Sequence, residues 1–187
     1  MERKIVYFEK PGAESTLETL RVAKARAAEL GIRHVLVAST HGRTALQAAD
    51  VFAGSGIQVI AVSICASFEE MGWTMTPAER EKVEKHGVRV LTSAHGLADG
   101  ISEGFYGEAT LGNVVAHTLR FFSQGMKVAV EISLMAVEAG LVPAGQEIVA
   151  VAGTNDGADT AIVIAPAYAR KVKEVSIREI LCKPRVG

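Results

Sequence analysis

Between the apolar run Val35-Leu36-Val37-Ala38 and a helical pattern lies Ser39-Thr40-His41-Gly42-Arg43-Thr44, a stretch of hydroxyls, one glycine and one arginine. At a strand-to-helix junction these residue types suit an anion. The first turn of a helix has backbone N–H groups without intrahelical partners and carries the positive end of the helix dipole, and glycine lets the chain approach a phosphate closely. The same residues equally suit a plain junction in which Ser39, Thr40 or Thr44 caps the helix. The order Gly-x-x-x-x-Gly-Lys-[Ser/Thr] is absent, which removes the marker of nucleotide hydrolysis, and no Gly-x-Gly-x-x-Gly follows a strand.

A second candidate is Gly153-Thr154-Asn155-Asp156-Gly157-Ala158-Asp159-Thr160, set between two apolar β-branched runs. Its amides suit a ligand cradle, with Asp156 or Asp159 accepting hydrogen bonds from sugar or ribityl hydroxyls. A hairpin turn has the same composition. A third is the set His117, Arg120, Gln124, Lys127 and Glu131, spaced at three and four residues in an otherwise apolar helical stretch, so that an unbroken helix presents them as one stripe. Charges there require partners, a cavity or solvent. Either Lys127 and Glu131 pair at i, i+4, or Arg120 and Lys127 face an anionic ligand. His95 follows a strand-like run and suits either acid–base work or a loop held by local hydrogen bonds. Cys65 ends an apolar run and reads as core, and Trp73 as a core cover that can also flank a planar ligand. The histidines show no i, i+4 pairing for a metal.

The elements that must position these residues follow from periodicity. Ile5–Phe8, Val35–Ala38, Val59–Ile64 and Val88–Leu91 are short, nearly continuous apolar runs alternating with helical patterns, the signature of a parallel sheet buried on both faces and joined by right-handed crossovers. Leu17, Leu20, Ala23, Ala27 and Leu30 mark the first helix, with Ser15 and Glu18 as its expected capping box and Gly31 as its stop. Thr76 and Glu79, with Pro77 between them, open another that ends near His86-Gly87. Residues 113–140 read as helix, apolar nearly all round and therefore interior, either unbroken or as two helices divided at Gly125, a division that would place Lys127 beside free N–H groups. Glu147–Ala152 and Thr160–Ala165 read as strands, and Val175–Cys182 as a last extended piece. In such sheets ligands collect outside the carboxyl ends of the strands, the edge that Ser39–Thr44, the segment after Ser63 and His95 must share.

The chain has 187 residues, 49% of them hydrophobic, and its 20 basic and 21 acidic side chains leave a formal charge of −1. That is one domain, spanning 1–187, with no electrostatic footprint for nucleic acid or an acidic membrane. Two cysteines, Cys65 and Cys182, are too few for a disulfide scaffold, and no apolar run approaches the ~20 residues of a membrane helix. The expectation is a cytoplasmic protein that takes a small phosphate-containing ligand, with homo-oligomerisation expected on frequency alone.

Ser-Thr-His-Gly-Arg-Thr-Ala, Ser39 to Ala45, resembles the hydroxyl-rich loop in the C-terminal domain of pyruvate kinase that in many of those enzymes holds a phosphate of a sugar bisphosphate; His41 stands where a serine is usual. The whole chain resembles the small, stand-alone, largely archaeal family of pyruvate kinase α/β-domain-like proteins. Phe8-Glu9-Lys10-Pro11-Gly12, Arg26 to Ile32, Leu119-Arg120, Gln124 to Glu131 and Gly153 to Ala161 carry that likeness. The resemblance implies a three-layer α/β sandwich with a mostly parallel sheet and a bound flavin mononucleotide (FMN) whose phosphate lies in the Ser39–Thr44 loop. Arg120, Gln124, Lys127, Gly153, Thr154, Asn155, Gly157, Asp159 and Thr160 complete the expected cofactor set. It implies no pyruvate kinase activity, since the catalytic barrel has no room in this length. The expected function is FMN binding, with or without flavin redox chemistry; the alternatives are a non-enzymatic sugar-phosphate binder or sensor, and a domain that mainly mediates assembly.

Overall fold

Each apolar run becomes a strand of one seven-stranded sheet in the computed structural model of the chain, which describes residues 2–98 and 100–186. The strands β1 (Val6–Phe8), β2 (His34–Ala38), β3 (Gln58–Ser63), β4 (Arg89–Thr92), β5 (Ile148–Ala152), β6 (Thr160–Ala165) and β7 (Ser176–Pro184) lie in the order β1-β7-β6-β5-β2-β3-β4. Pairing is parallel for β1 with β7, β5 with β2, β2 with β3, and β3 with β4. Only β6 runs against its neighbours, β5 and β7. The seven residues between β5 and β6 are too few for the crossover that a parallel pair needs, so a hairpin forms.

Every residue of β5 and β6 is buried, because alternate side chains serve two cores. Val35, Val37, Val59, Ala61, Val149 and Val151 meet α1 (Thr16–Leu30), α2 (Arg43–Phe52) and α3 (Pro77–Lys85) on one face. Leu36, Ile60, Ile148, Ala150 and Ile162 meet α6 (Gln124–Glu138) on the other. This is the three-layer α/β sandwich expected from the alternation. Outside α6 lie α4 (Gly100–Tyr106) and α5 (Leu111–Arg120), the latter held through Ala116 and Leu134. Among the described residues no helix is long and apolar enough to cross a membrane.

The helix signals resolve unevenly. Gly31 ends α1 in the left-handed region at φ 67°, and Thr76, Pro77 and Glu79 form the complete capping box that opens α3. The Ser15–Glu18 box does not form. A 3-10 turn, Ala13–Ser15, runs straight into α1, so Ser15 is already helical (φ −82°, ψ −7°) and lacks the extended backbone a capping side chain needs. Thr16 is used instead: its hydroxyl donates to the Ala13 carbonyl (2.7 Å) and accepts from the Ala158 N–H (3.0 Å), stitching α1 to the β5–β6 hairpin. Leu17 and Leu30, expected inside, lie on the exposed side of α1, whereas Leu20, Ala23 and Ala27 are buried.

The helical stretch after 113 breaks at Phe121, Phe122 and Ser123, not at Gly125. Ser123 is extended and caps α6 by accepting from the Met126 N–H at 2.9 Å. Gly125 lies inside the first turn, where a Cβ would stand 2.3 Å from Thr160 Oγ1 and 2.9 Å from Asp159 Oδ1. Its role is close approach of α6 to the start of β6. The expectation of an interior segment holds for α6 and fails for α5, whose Leu111, Val114 and Val115 are exposed. The reason is that α6 covers the second face of the sheet, so α5 has a partner on one side only.

Candidate functional site

The strand order reverses at β2. The chain steps outward from β2 to β3 and β4, then returns through α5 and α6 to β5 on the other side of β2. Such a reversal opens a crevice at the carboxyl ends of the two strands, the usual seat of a ligand in an open α/β sheet. The loops that follow β2 and β5 are the two segments singled out above, Ser39–Thr44 and Gly153–Asp159. They are joined across the crevice by an ion pair between Arg43 and Asp156.

In the first loop Gly42 is the N-cap of α2 at φ 82°, and a Cβ there would stand 2.6 Å from Val83 Cγ2, so both conformation and space call for glycine. Ser39 supplies the cap: its Oγ accepts from the Ala45 N–H at 3.2 Å. The hydroxyls of Thr40 and Thr44 stay uncommitted, and among the described residues the N–H groups of Thr40, His41, Gly42, Arg43 and Thr44 donate to no protein acceptor. Five amides and two hydroxyls without protein partners among the described residues thus lie at one helix start, Thr44 being buried there. His41 is engaged elsewhere, its Nδ1 3.3 Å from Glu79 Oε1. The Thr76 N–H, helped by the Thr76 hydroxyl and His41, holds the Glu79 carboxyl below its ordinary range.

The second loop is a hairpin, as its composition also allowed. Asp159 is fully buried: Oδ2 accepts from the Gly12 and Thr154 N–H groups, both at 3.0 Å, and Oδ1 from the Thr160 hydroxyl at 2.8 Å. Thr160, also fully buried, lies 3.1 Å from the Ser123 hydroxyl. Asp159 and Thr160 therefore shape the loop from behind and present no polar atom to a ligand. Gly153 and Gly157 are required by packing, since Cβ atoms there would stand 2.5 Å from the Gly157 carbonyl oxygen and 2.4 Å from Thr16 Oγ1. Thr154, Asn155 (φ 58°) and Asp156 form the tip that faces outward.

The polar stripe splits at the helix break. Arg120 Nε donates to Gln124 Oε1 at 2.8 Å, and its Nη1 lies 3.4 Å from His117 Nδ1, so these three satisfy one another at the surface. Lys127 and Glu131 form the i, i+4 pair, Nζ to Oε2 at 2.5 Å, and both are buried. The Lys127 N–H bonds to the Ser123 carbonyl, so the side chain stands past the free end of α6. Glu131 Oε1 is buried without a hydrogen-bond partner among the described residues. Nothing in the spacing of Glu131 announces that orphan oxygen; beside it Gly96 packs closely on α6, where a Cβ would stand 2.8 Å from the Glu131 carbonyl.

His95 adjoins this pair. Burial holds its imidazole below the ordinary histidine pKa, with Lys127 acting in the same direction and Glu131 and Glu103 opposing it. Its ring lies over Phe68 with centroids 5.3 Å apart, and Phe68 in turn lies 5.8 Å from Trp73 with an interplanar angle of 3°. Trp73 is half-exposed and covers no core. Met75, two residues after Trp73, brings this segment to the cradle, its Cε 3.9 Å from where a Gly42 Cβ would stand. Cys65 is half-buried beside Ser67 Oγ (2.9 Å), and burial pushes the Cys182 thiol up to about 12, which leaves it inert. Among the described residues no three His, Cys, Asp or Glu side chains converge as metal ligands.

The arrangement can therefore bind an anion through backbone amides, and the loops after β3 and β4, at the same edge of the sheet, carry stacked aromatic rings. Residues 18–164 match the family described as pyruvate kinase, alpha/beta domain, a span running from α1 to β6 that takes in both loops of the crevice and leaves β1 and β7 outside. With the match covering well over half of its length, the chain belongs to the pyruvate kinase alpha/beta domain family.

Proposed function

We propose that the protein binds a phosphate-containing small molecule at the β2–β5 crevice and that this ligand is FMN. The observation that carries the reading is the set of uncommitted N–H groups of Thr40–Thr44 at the start of α2, with the Thr40 and Thr44 hydroxyls beside them. The flavin part is supported by the stacked rings of Phe68, Trp73 and His95 at the same edge of the sheet and by the family resemblance of the matching runs. When bound, FMN supplies hydride or electron chemistry of its own; the chain contributes anchoring, orientation and the electrostatics of His95, Lys127 and Glu131. A sugar phosphate is the second reading, favoured by the outward Asn155 and Asp156, which offer hydroxyl-binding groups without any need for a ring.

Equilibrium dialysis with FMN, riboflavin and a sugar phosphate separates these readings. FMN is expected to bind well above riboflavin, and Thr44→Ala to weaken it by about 1–3 kcal/mol, the range for a charge-assisted hydrogen bond. A colourless protein that takes up no FMN but binds the sugar phosphate favours the second reading. Binding of neither removes both.

A further inference from the structure

We infer that the outer face of α4 and α5 is a homodimer contact, with a second copy of this chain as its partner. The face is built by spacing: Leu111, Val114 and Thr118 of α5 and Phe121, the residue that caps its end, follow one another at three- and four-residue steps, opposite the side that Ala116 buries. Asn113 Nδ2 donates to Glu103 Oε1 at 2.7 Å and ties α5 to α4, the helix that carries the exposed rings of Phe105 and Tyr106, 6.3 Å apart. Leu111 is 88% exposed, Phe121 86% and Phe105 81%, values that an isolated subunit has no reason to retain. At about 200 Å² per ring, Phe105, Tyr106, Phe121 and Phe122 alone expose on the order of 600 Å². With Leu111 and Val114 added, the patch exceeds the ~300–600 Å² maximum of a typical monomer and approaches the ~800 Å² per partner of a stable complex.

Charge and shape choose the occupant. From Gly100 to Phe122 the chain carries two carboxylates, Glu103 and Glu108, and one arginine, Arg120. Glu103 is bonded to Asn113 and Arg120 to Gln124. A polyanion or an acidic peptide finds no basic cluster here, and neither does an anionic bilayer. An uncharged apolar face is, however, complementary to itself. Next to it lies a recess of about 330 Å³ lined by Phe122, Met126, Ile177 and Ile180 together with Arg178 and Glu179, whose charged groups pair with Glu147 and Arg26. An exposed ring, Phe121, thus stands beside a recess large enough for a ring, and a two-fold axis places each copy's ring at the other's recess, as an isologous interface demands.

Sedimentation velocity on the full chain at micromolar concentration tests this. The wild type is expected at twice the 19.8 kDa chain mass. Phe121→Asp, at a site open to solvent and so without effect on the subunit's own core, is expected to raise the dimer dissociation constant at least about 100-fold, as truncation of an interface anchor does. Leu17→Asp, on the exposed side of α1, is expected to leave the mass unchanged. A monomeric wild type overturns the inference, whether or not that monomer floats with phosphatidylglycerol vesicles. So does a Phe121→Asp protein that dimerises as tightly as the wild type while retaining its circular dichroism.

Discussion

Replacing Gly125 with alanine should destabilise this protein, against the rule for glycines in helices. In an open helix the change is favourable by up to about 1 kcal/mol, because alanine loses less backbone entropy on folding. Here the added Cβ meets Thr160 Oγ1 at 2.3 Å, Thr160 Cβ at 2.6 Å and Asp159 Oδ1 at 2.9 Å. None of these belongs to a flexible surface chain, since Asp159 and Thr160 are fully buried and hydrogen-bonded to each other and to Ser123. Relief requires α6 to lift from the start of β6. Overpacking of a dense interior costs about 1–3 kcal/mol and loss of one buried hydrogen bond adds about 1 kcal/mol, so that with the helix gain subtracted the net destabilisation is about 1–3 kcal/mol. Gly104→Ala in α4, where a Cβ meets nothing within 4 Å, is the control and should stabilise by about 0.5–1 kcal/mol. Urea unfolding with unchanged m-values reads both. A Gly125→Ala protein as stable as the wild type would falsify the account of why glycine stands at the second position of α6.

The buried pair and the histidine give two further tests. Lys127→Met leaves the Glu131 carboxylate without its counter-charge in the interior, and a loss of about 3–5 kcal/mol is expected in urea unfolding, while Lys127→Met/Glu131→Leu should recover most of it; a double variant no better than the single one would contradict the pairing. For His95 the folded pKa lies below the unfolded value of about 6.5, so the unfolded chain takes up the proton first. Its contribution is complete above the unfolded pKa and is lost as pH falls through the folded one. The wild type should therefore lose more stability between neutral and mildly acidic pH than His95→Gln does, and parallel pH profiles would count against burial of the imidazole.

How far each element could be read depended on the range of the interaction that makes it. Gly31, Pro77 and the Thr76–Glu79 box act within one turn, where backbone conformation and capping are nearest-neighbour effects, and all three appear where the sequence puts them. The apolar runs were legible because strands buried on both faces leave no polar alternation. Ser15 shows the limit: its residue type suits a cap, but the 3-10 turn ahead of it removes the required extended backbone. Asp159 shows the same limit in the site, for an aspartate in a polar loop reads as open to a ligand until Gly12 and Thr154, from distant and near parts of the chain, claim one of its oxygens.

The sequence alone thus determined the α/β class, the seven strands and the hydroxyl-rich helix start, and it offered the i, i+4 pairing of Lys127 with Glu131 as one of two readings. The order of strands lay beyond it, because neighbours in a sheet are chosen by packing between residues far apart in the chain. That order brings the loops after β2 and β5 together, and it sends α6 across the second face to enclose Lys127 and Glu131. It also leaves α5 as an outer layer with an apolar side turned to solvent. Whether a charge is buried or an apolar stripe exposed depends on what covers it, and only the tertiary structure supplies the cover.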